Sequence, residues 1–413
     1  MGALRGPRRW AYQAFRTLPE PVRGVGDTVL RRRAETQVRR QPGFDPEAAI
    51  RLVIGPLNTA GQGERWTRAA ETLPGVSARS MSLERRSSGS GFGYASDWHL
   101  SQAVLLRGMT QHRSRVLGTD GLPPATHVLA ESAWAVLADP YHRRIHQDLE
   151  ELRAAGISVA ILIHGSEMRD LRAHAAAYPH SPFHGDWDER WETMHATVQR
   201  TREIVGQMAE QGVPLFVPTQ DMLEHVPGST LLPITVDVDR FSPGAARGLL
   251  LRARPVVLHA PSNPRLKGTR AVEEVLGRLH QAGMIEYRRL SGVPNAHMPS
   301  AIAGADIVVD QIVLGNVATL AAESMAAGRI VVAHVADEVR ERQPGLPVVE
   351  ANPDTLEEVI RGLLEDRPAS RELAAKGPAW AREHHDGTAA AAALSPWLLA
   401  PRALPPATSP PVA

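Results

Sequence analysis

No cysteine occurs among the 413 residues, so disulfide scaffolds, thiol nucleophiles and thiolate metal sites are excluded. Lysine is nearly missing too: Lys267 and Lys376 are the only two among 46 basic side chains, the rest being arginine. A GC-rich genome gives such a bias. A lysine that survives it is a candidate for chemistry that needs an ammonium rather than a guanidinium. No apolar run reaches ~18 residues, so no transmembrane helix is expected. The first residues, MGALRGPRRWAYQAFR, lack a secretory apolar core. With 43% apolar and 22% charged residues, the chain as a whole is not disordered. A net charge of +1 argues against a polyelectrolyte binder, and no nucleic-acid partner is expected. The length suits two to three domains of ~150 residues, and a cytoplasmic location fits the missing disulfides.

Charge is distributed unevenly. Residues 1–45 hold ten arginines against Glu20, Asp27, Glu35 and Asp45, and the remainder is mildly acidic. This basic arm, with Trp10, Tyr12 and Phe15 among its arginines, reads first as a loosely docked, solvated extension. Peripheral contact with an anionic membrane, at ~1 kcal/mol per basic residue near the surface, is the second reading, and RNA or another polyanion the third. The last residues, 401–413, hold five prolines and read as a disordered tail.

Between these ends, short apolar runs alternate with helical patterns. Strands are expected at Arg51–Leu57, Val76–Ser82, Thr126–Ala130, Ser158–His164, Leu215–Pro218 and Leu231–Ile234. Helices are expected at Glu64–Leu73, Trp98–His112, Asp139–Ala155 and Asp186–Gln211, with a loop at Arg85–Ser96. A linker with Pro243 and Gly244 covers Asp237–Ala253. Alternation then resumes: strands at Pro255–Ala260, Ile285–Leu290, Asp306–Ile312, Ile330–His334 and Val348–Glu350 interleave with helices at Gly268–Ala282, Met298–Ala305, Leu320–Ala327 and Thr355–Asp366. An Ala-rich helical region follows over 370–399. This order predicts an α/β protein of two Rossmann-like, doubly wound domains facing a cleft. The domain boundaries read as 46–240 and 241–380, with a C-terminal helix over 381–400.

Ligands of doubly wound sheets bind beyond the carboxyl ends of the strands, which selects the loops Asn58–Gly63, Glu131–Ala133, Gly165–Arg169, Pro261–Gly268, Gly292–His297 and Val313–Thr319, and four stretches among them could carry chemistry. The first, Gly55–Gly63, includes Gly61 and could bring backbone near an anion. It is no dinucleotide fingerprint, since the third glycine of GxGxxG falls on Trp66, and the Gly89–Gly93 loop fails in the same way at Tyr94. The second, His259–Gly268, places Ser262, Asn263, Arg265 and Lys267 before a helix N-terminus, where a cation and free amides suit a diphosphate. It lacks GxxxxGK[ST], so it is no P-loop. The third, Val313–Gly328, has the small-residue turn Gly315, Asn316, Val317, Ala318 and Thr319. Glu323 follows one helical turn inside, and a carboxylate there could accept both vicinal ribose hydroxyls. The fourth, His164–Arg169, is expected to project His164 from a buried strand toward the cleft, where it could donate to a sugar hydroxyl or stabilise charge. Each has a plain structural reading as well: an ordinary turn, a surface lysine, a solvent-facing glutamate, a hydrogen-bonded histidine. His384-His385-Asp386 has metal-ligand residue types, but neighbours on a helix point apart.

Taken together, VLHAPSNPRLKG at 257–268, ADIVVDQIVLGNVATLAAESMAAGRIVVAHV at 305–335 and PITVDVDRF at 233–241 resemble the GT-B glycosyltransferases, glycosyltransferase family 4 in particular. The resemblance spans roughly residues 50–385. It implies that Lys267 holds the diphosphate of a nucleotide-sugar donor and Glu323 its ribose. It also implies that the amides of Asn316–Thr319 meet the phosphates, that Gly61 and Gly268 lie in binding loops, and that His164 faces the transferred sugar. The implied reaction retains anomeric configuration and requires no metal or cofactor. Its acceptor would be a glycan, a lipid-linked saccharide or a metabolite, and the basic arm favours a membrane-linked one. The last helix would cross back to the first domain on a face of Trp380, Leu394, Trp397 and Leu398. Two positions depart from the family pattern. Ser262 stands where an arginine is usual, with Arg265 the nearest replacement, and Gly315 stands where a glutamate is usual. A non-catalytic binding protein on this scaffold, or an epimerase or phosphorylase of the same fold, is the alternative.

Overall fold

A computed structural model describes residues 20–83, 92–138, 143–185, 187–242 and 248–401. Among these residues, seven strands form the first sheet: β1 Ile50–Gly55, β2 Val76–Leu83, β3 Trp98–Leu100, β4 His127–Glu131, β5 Ser158–Leu162, β6 Leu215–Val217 and β7 Thr230–Leu231. Their order is β3-β2-β1-β4-β5-β6-β7, and every pairing is parallel. Five strands form the second: β8 Val256–His259, β9 Glu286–Arg289, β10 Ile307–Val309, β11 Ile330–Ala333 and β12 Val348–Glu350. They too are parallel, in the order β12-β11-β10-β8-β9. These are the two doubly wound orders that bind ligands where strand order reverses. The reversal lies between β1 and β4 in one sheet and between β8 and β10 in the other.

The central strands are apolar and buried on both faces, as parallel sheets require. One apolar cluster covers each face of each sheet. The chain passes between domains at Leu232–Val236: Leu232 belongs to the first domain's core, Ile234 and Val236 to the second's. The crossing is pinned on both sides. Gln62 donates to Thr235 O at 3.0 Å and accepts from Thr235 N at 2.7 Å, and Val236 N donates to His385 O at 2.7 Å.

Several expected elements differ. Trp98–Leu100 is an edge strand rather than the start of a helix; its bulky, alternately buried side chains suit a pleated edge, and helix follows from Val104. The helix expected over Asp139–Ala155 is Leu149–Ala154; Trp134 and Arg144 pair as an antiparallel bridge before it, and 139–142 lie outside the described residues. The solvated N-terminal extension is corrected for its second half: Glu20–Arg40 is a helix, and Ala34 and Val38 are buried in the first domain's core. Trp10, Tyr12 and Phe15 lie outside the described residues, as do most of the Arg85–Ser96 loop, residues 243–247 of the linker and residues 402–413 of the tail. The described start of that linker is a short helix, Val238–Phe241, whose apolar side chains are buried in the second domain.

The C-terminal region splits its packing. Trp380 and Ala381, on the Gly377–His385 helix, pack against the second domain. The Thr388–Leu398 helix returns to the first sheet, where Leu394, Trp397 and Leu398 join Ile50, Leu52 and Phe216. Trp397 Nε1 donates to Ser158 Oγ at 2.9 Å. Among the described residues no helix is long and apolar enough to cross a membrane.

Candidate active site

A cavity of about 1030 Å³ lies between the domains. Its first-domain wall includes Asn58–Ala60, Ser82, Tyr94 and His99; its second-domain wall includes Ser262, Lys267, Asp310, Ala318, Thr319 and Glu323. Both strand-order reversals therefore contribute to one space.

Lys267 enters it from the turn after β8. Its amide donates to Asn263 O at 3.1 Å. Gly268 follows with φ +68°, where a Cβ would sit 2.8 Å from Ile312, so the turn is tight and left-handed. Lys267 Nζ lies 2.5 Å from Asp310 Oδ1. Asp310 is buried at the end of β10, and its other oxygen has no hydrogen-bond partner among the described residues. Arg265 does not stand in for the missing arginine of this loop. It pairs with Asp188 at 2.6 Å and lies over the Trp191 ring, against the first domain and away from the cavity. Asn263 and Gly268 shape the turn without lining the cavity.

Glu323 sits on the Thr319–Ala326 helix, whose first turn faces the cavity with no side-chain cap. Its free amides remain available to an acceptor. Gln311 shapes the approach: its amide nitrogen donates to Asn316 O at 2.6 Å and its oxygen accepts from Leu314 N at 2.6 Å. Gly315 adopts φ +74°, and a Cβ there would lie 2.9 Å from Ala336 Cβ. This backbone leaves no room for the glutamate usual at that position. Gly315, Asn316 and Val317 do not line the cavity, and Val317 is buried in the second domain's core. Glu323 itself is buried and bonded to Arg65 Nη2 at 3.3 Å, while Arg65 Nη1 donates to Thr235 O at 3.0 Å. Burial pushes the Glu323 carboxyl up from its ordinary value; Arg65 opposes this without reversing it.

His164 is placed behind the first-domain wall rather than on it. Its Nε2 lies 3.2 Å from Glu131 Oε1, and its ring stacks against Trp66. Glu131, fully buried at the end of β4, accepts from the amides of Leu57 at 3.0 Å, Asn58 at 2.6 Å and Thr59 at 3.3 Å. Burial works against the His164 imidazolium, but the hydrogen bond and charge of Glu131, with Glu167, carry its pKa above the ordinary value. Gly61, at φ +74°, backs onto the Tyr94 ring and lines a neighbouring cavity of about 950 Å³.

The structure thus gathers Lys267, Glu323, Ser262, Ala318 and Thr319 around one space, and leaves His164, Gly61, Asn263, Arg265, Gly268, Gly315, Asn316 and Val317 off its surface. Sequence reasoning missed Asp310, Arg65 and Tyr94, and it gave Asn58, which lies in a selected loop, no role of its own. Asp310 had a signal: a charge ending the apolar run IVV needs a partner or a ligand. Arg65 had none, because its partner is on the other domain. His384 and His385 are engaged elsewhere: His385 Nδ1 meets Ile234 O at 2.8 Å, and His384 stacks on Trp380. Among the described residues no cluster of metal-ligating side chains occurs.

No family model matches the sequence, and the comparison with curated proteins found no match. Solved structures do match. Sucrose-phosphate synthase from Thermosynechococcus elongatus is 11% identical, with 84% of this chain and 97% of that one covered at a TM-score of 0.54. Anabaena HepE in complex with UDP-glucose is 12% identical, with 84% and 99% covered at 0.53. An alpha-glucosyltransferase in complex with UDP and a DNA containing an HMU base is 10% identical, with 87% and 100% covered at 0.52. At such identities the likeness is one of architecture: the chain has the GT-B fold, two Rossmann-like domains facing each other across a cleft.

Proposed function

We propose that the protein is a glycosyltransferase that moves a sugar from a nucleotide-sugar donor to a hydroxyl acceptor. The observation that carries this reading is the shared cavity. There a lysine, an uncapped helix N-terminus and a buried carboxylate converge from the second domain at its strand-order reversal. Lys267 and the amides of Ala318 and Thr319 suit a diphosphate. Glu323 suits vicinal ribose hydroxyls. Support comes also from matched GT-B structures that hold UDP or UDP-glucose.

The donor occupies the second-domain wall and the acceptor the first. The bond between the anomeric carbon and the β-phosphate oxygen breaks as the acceptor oxygen bonds to that carbon from the same face. The acceptor's proton passes to the departing phosphate oxygen, and configuration is retained. Lys267 and the helix amides supply the positive field that the leaving diphosphate needs, so we infer that no metal or cofactor is required. His164 acts at one remove, by fixing Glu131 and through it the Leu57–Thr59 amides of the acceptor wall. The acceptor is a glycan, a lipid-linked saccharide or a metabolite. The basic residues 1–45 favour a lipid-linked acceptor reached on the cytoplasmic face of a membrane. Retention and membership of family 4 rest on the sequence resemblance, and this location rests on the missing disulfides and the basic residues 1–45.

A second reading is favoured by one observation: Glu323 and Lys267 are already paired, with Arg65 and Asp310. A protein that binds nucleotide or sugar without catalysis could keep such neutralised residues. Incubation with each candidate nucleotide-sugar, followed by mass spectrometry, separates the readings. Release of nucleoside diphosphate with a hexose added to an acceptor, or to water, supports transfer. Isomerised sugar with intact nucleotide shows an epimerase, consumption of inorganic phosphate a phosphorylase, and an unchanged donor a binding protein.

A further inference from the structure

One buried oxygen in the cavity has no role in this account. Asp310 is 1% exposed, yet it lines the cavity. One carboxylate oxygen meets Lys267; the other has no hydrogen-bond partner among the described residues. A buried acceptor left unpaired is unfavourable, and a ligand donor satisfies it. The carboxylate fixes the kind of group. It repels phosphate, so it must receive an O–H or N–H. Its place fixes which one: it adjoins the lysine assigned to the diphosphate, whereas the ribose carboxylate is Glu323. The two carboxylates are near enough that the Asp310 charge adds to the upward push on Glu323.

We infer that Asp310 reads a hydroxyl of the transferred sugar, so that its free oxygen sets sugar specificity while its other oxygen is paired with Lys267. The inference rests on the reading of the cavity as a donor site.

Titration calorimetry on the full chain tests it. The probes are whichever of UDP, GDP, ADP or dTDP binds the wild type, its glucose conjugate, and the conjugate's single-deoxy series. Asp310→Asn is expected to weaken the glucose conjugate about tenfold, on the scale of one charge-assisted hydrogen bond. The bare diphosphate should bind as before or more tightly, because Lys267 is released. One deoxy position should weaken wild-type binding about tenfold and leave the variant unaffected. Asp310→Ser serves if Asp310→Asn does not fold. Equal weakening of diphosphate and conjugate would reduce Asp310 to a support for Lys267 and overturn the inference, as would no change in either. Failure of the wild type to bind any of the four diphosphates would overturn the donor-site reading itself.

Discussion

Arg65 and Glu323 meet across the interdomain cleft, 3.3 Å apart and both nearly inaccessible to solvent. Each comes from a helix that follows a central strand of its own domain. The carboxylate assigned to the donor ribose is thus also the anchor of the first domain. Removing one partner of a buried pair leaves an uncompensated charge. Arg65→Met is expected to lower stability by about 3 kcal/mol, visible in urea unfolding. Arg65→Met combined with Glu323→Met should recover most of that loss. A double variant as unstable as the sum of the singles would show the pair to be uncoupled.

A glutamate at position 315 should harm the protein. Gly315→Glu places a side chain at φ +74° and against Ala336, a strain of about 1–3 kcal/mol. A drop in melting temperature with no gain in nucleotide affinity is the expected result. A stable variant that binds a nucleotide-sugar more tightly would contradict the loop geometry.

Acid should destabilise the fold before ordinary carboxylates titrate. His112, His174, His259 and His385 are buried, and burial is the leading cause that pushes each down to about 4. Between that value and the unfolded pKa of about 6.5, the unfolded chain binds more protons. Stability is therefore full above that unfolded value and is lost as pH falls toward 4. Melting temperatures across pH 4–7 check this. A flat profile would mean that these rings take up protons as readily in the fold as in the unfolded chain.

Removing the Thr388–Leu398 helix should unmask the first sheet. Leu394, Trp397 and Leu398 are buried there, at roughly 1.5–3 kcal/mol each. A chain ending at residue 387 should melt at a clearly lower temperature and bind a hydrophobic dye. An unchanged melting temperature would mean that the helix contributes little.

The element order was readable because period-two and apolar-run strands alternate with amphipathic helices, and the cores of β1, β4, β5, β8, β10 and β11 lie where those runs do. The edge strand β3 was not: Trp98–Leu100 is three residues long and merges with the helical pattern after it. Lys267 and Glu323 could be picked out because each is a charge beside a helix start or inside an apolar helix. Their partners Asp310 and Arg65 lie 43 and 258 residues away in the chain, a separation no local pattern records. His164 follows the apolar run of β5 in the sequence, but its direction depends on Glu131, a residue of the neighbouring strand.

On the proposed reading, Lys267 and Glu323 hold a nucleotide in one cavity. Thermal shift of the full chain with UDP, GDP, ADP, CMP and dTDP, beside Lys267→Ala and Glu323→Ala, decides whether they do. A ligand at ~100 times its dissociation constant adds about 2.7 kcal/mol of stability. The expected result is a rise in melting temperature with one nucleotide family, lost in both variants. No rise with any nucleotide, or a rise that both variants retain, would contradict that reading.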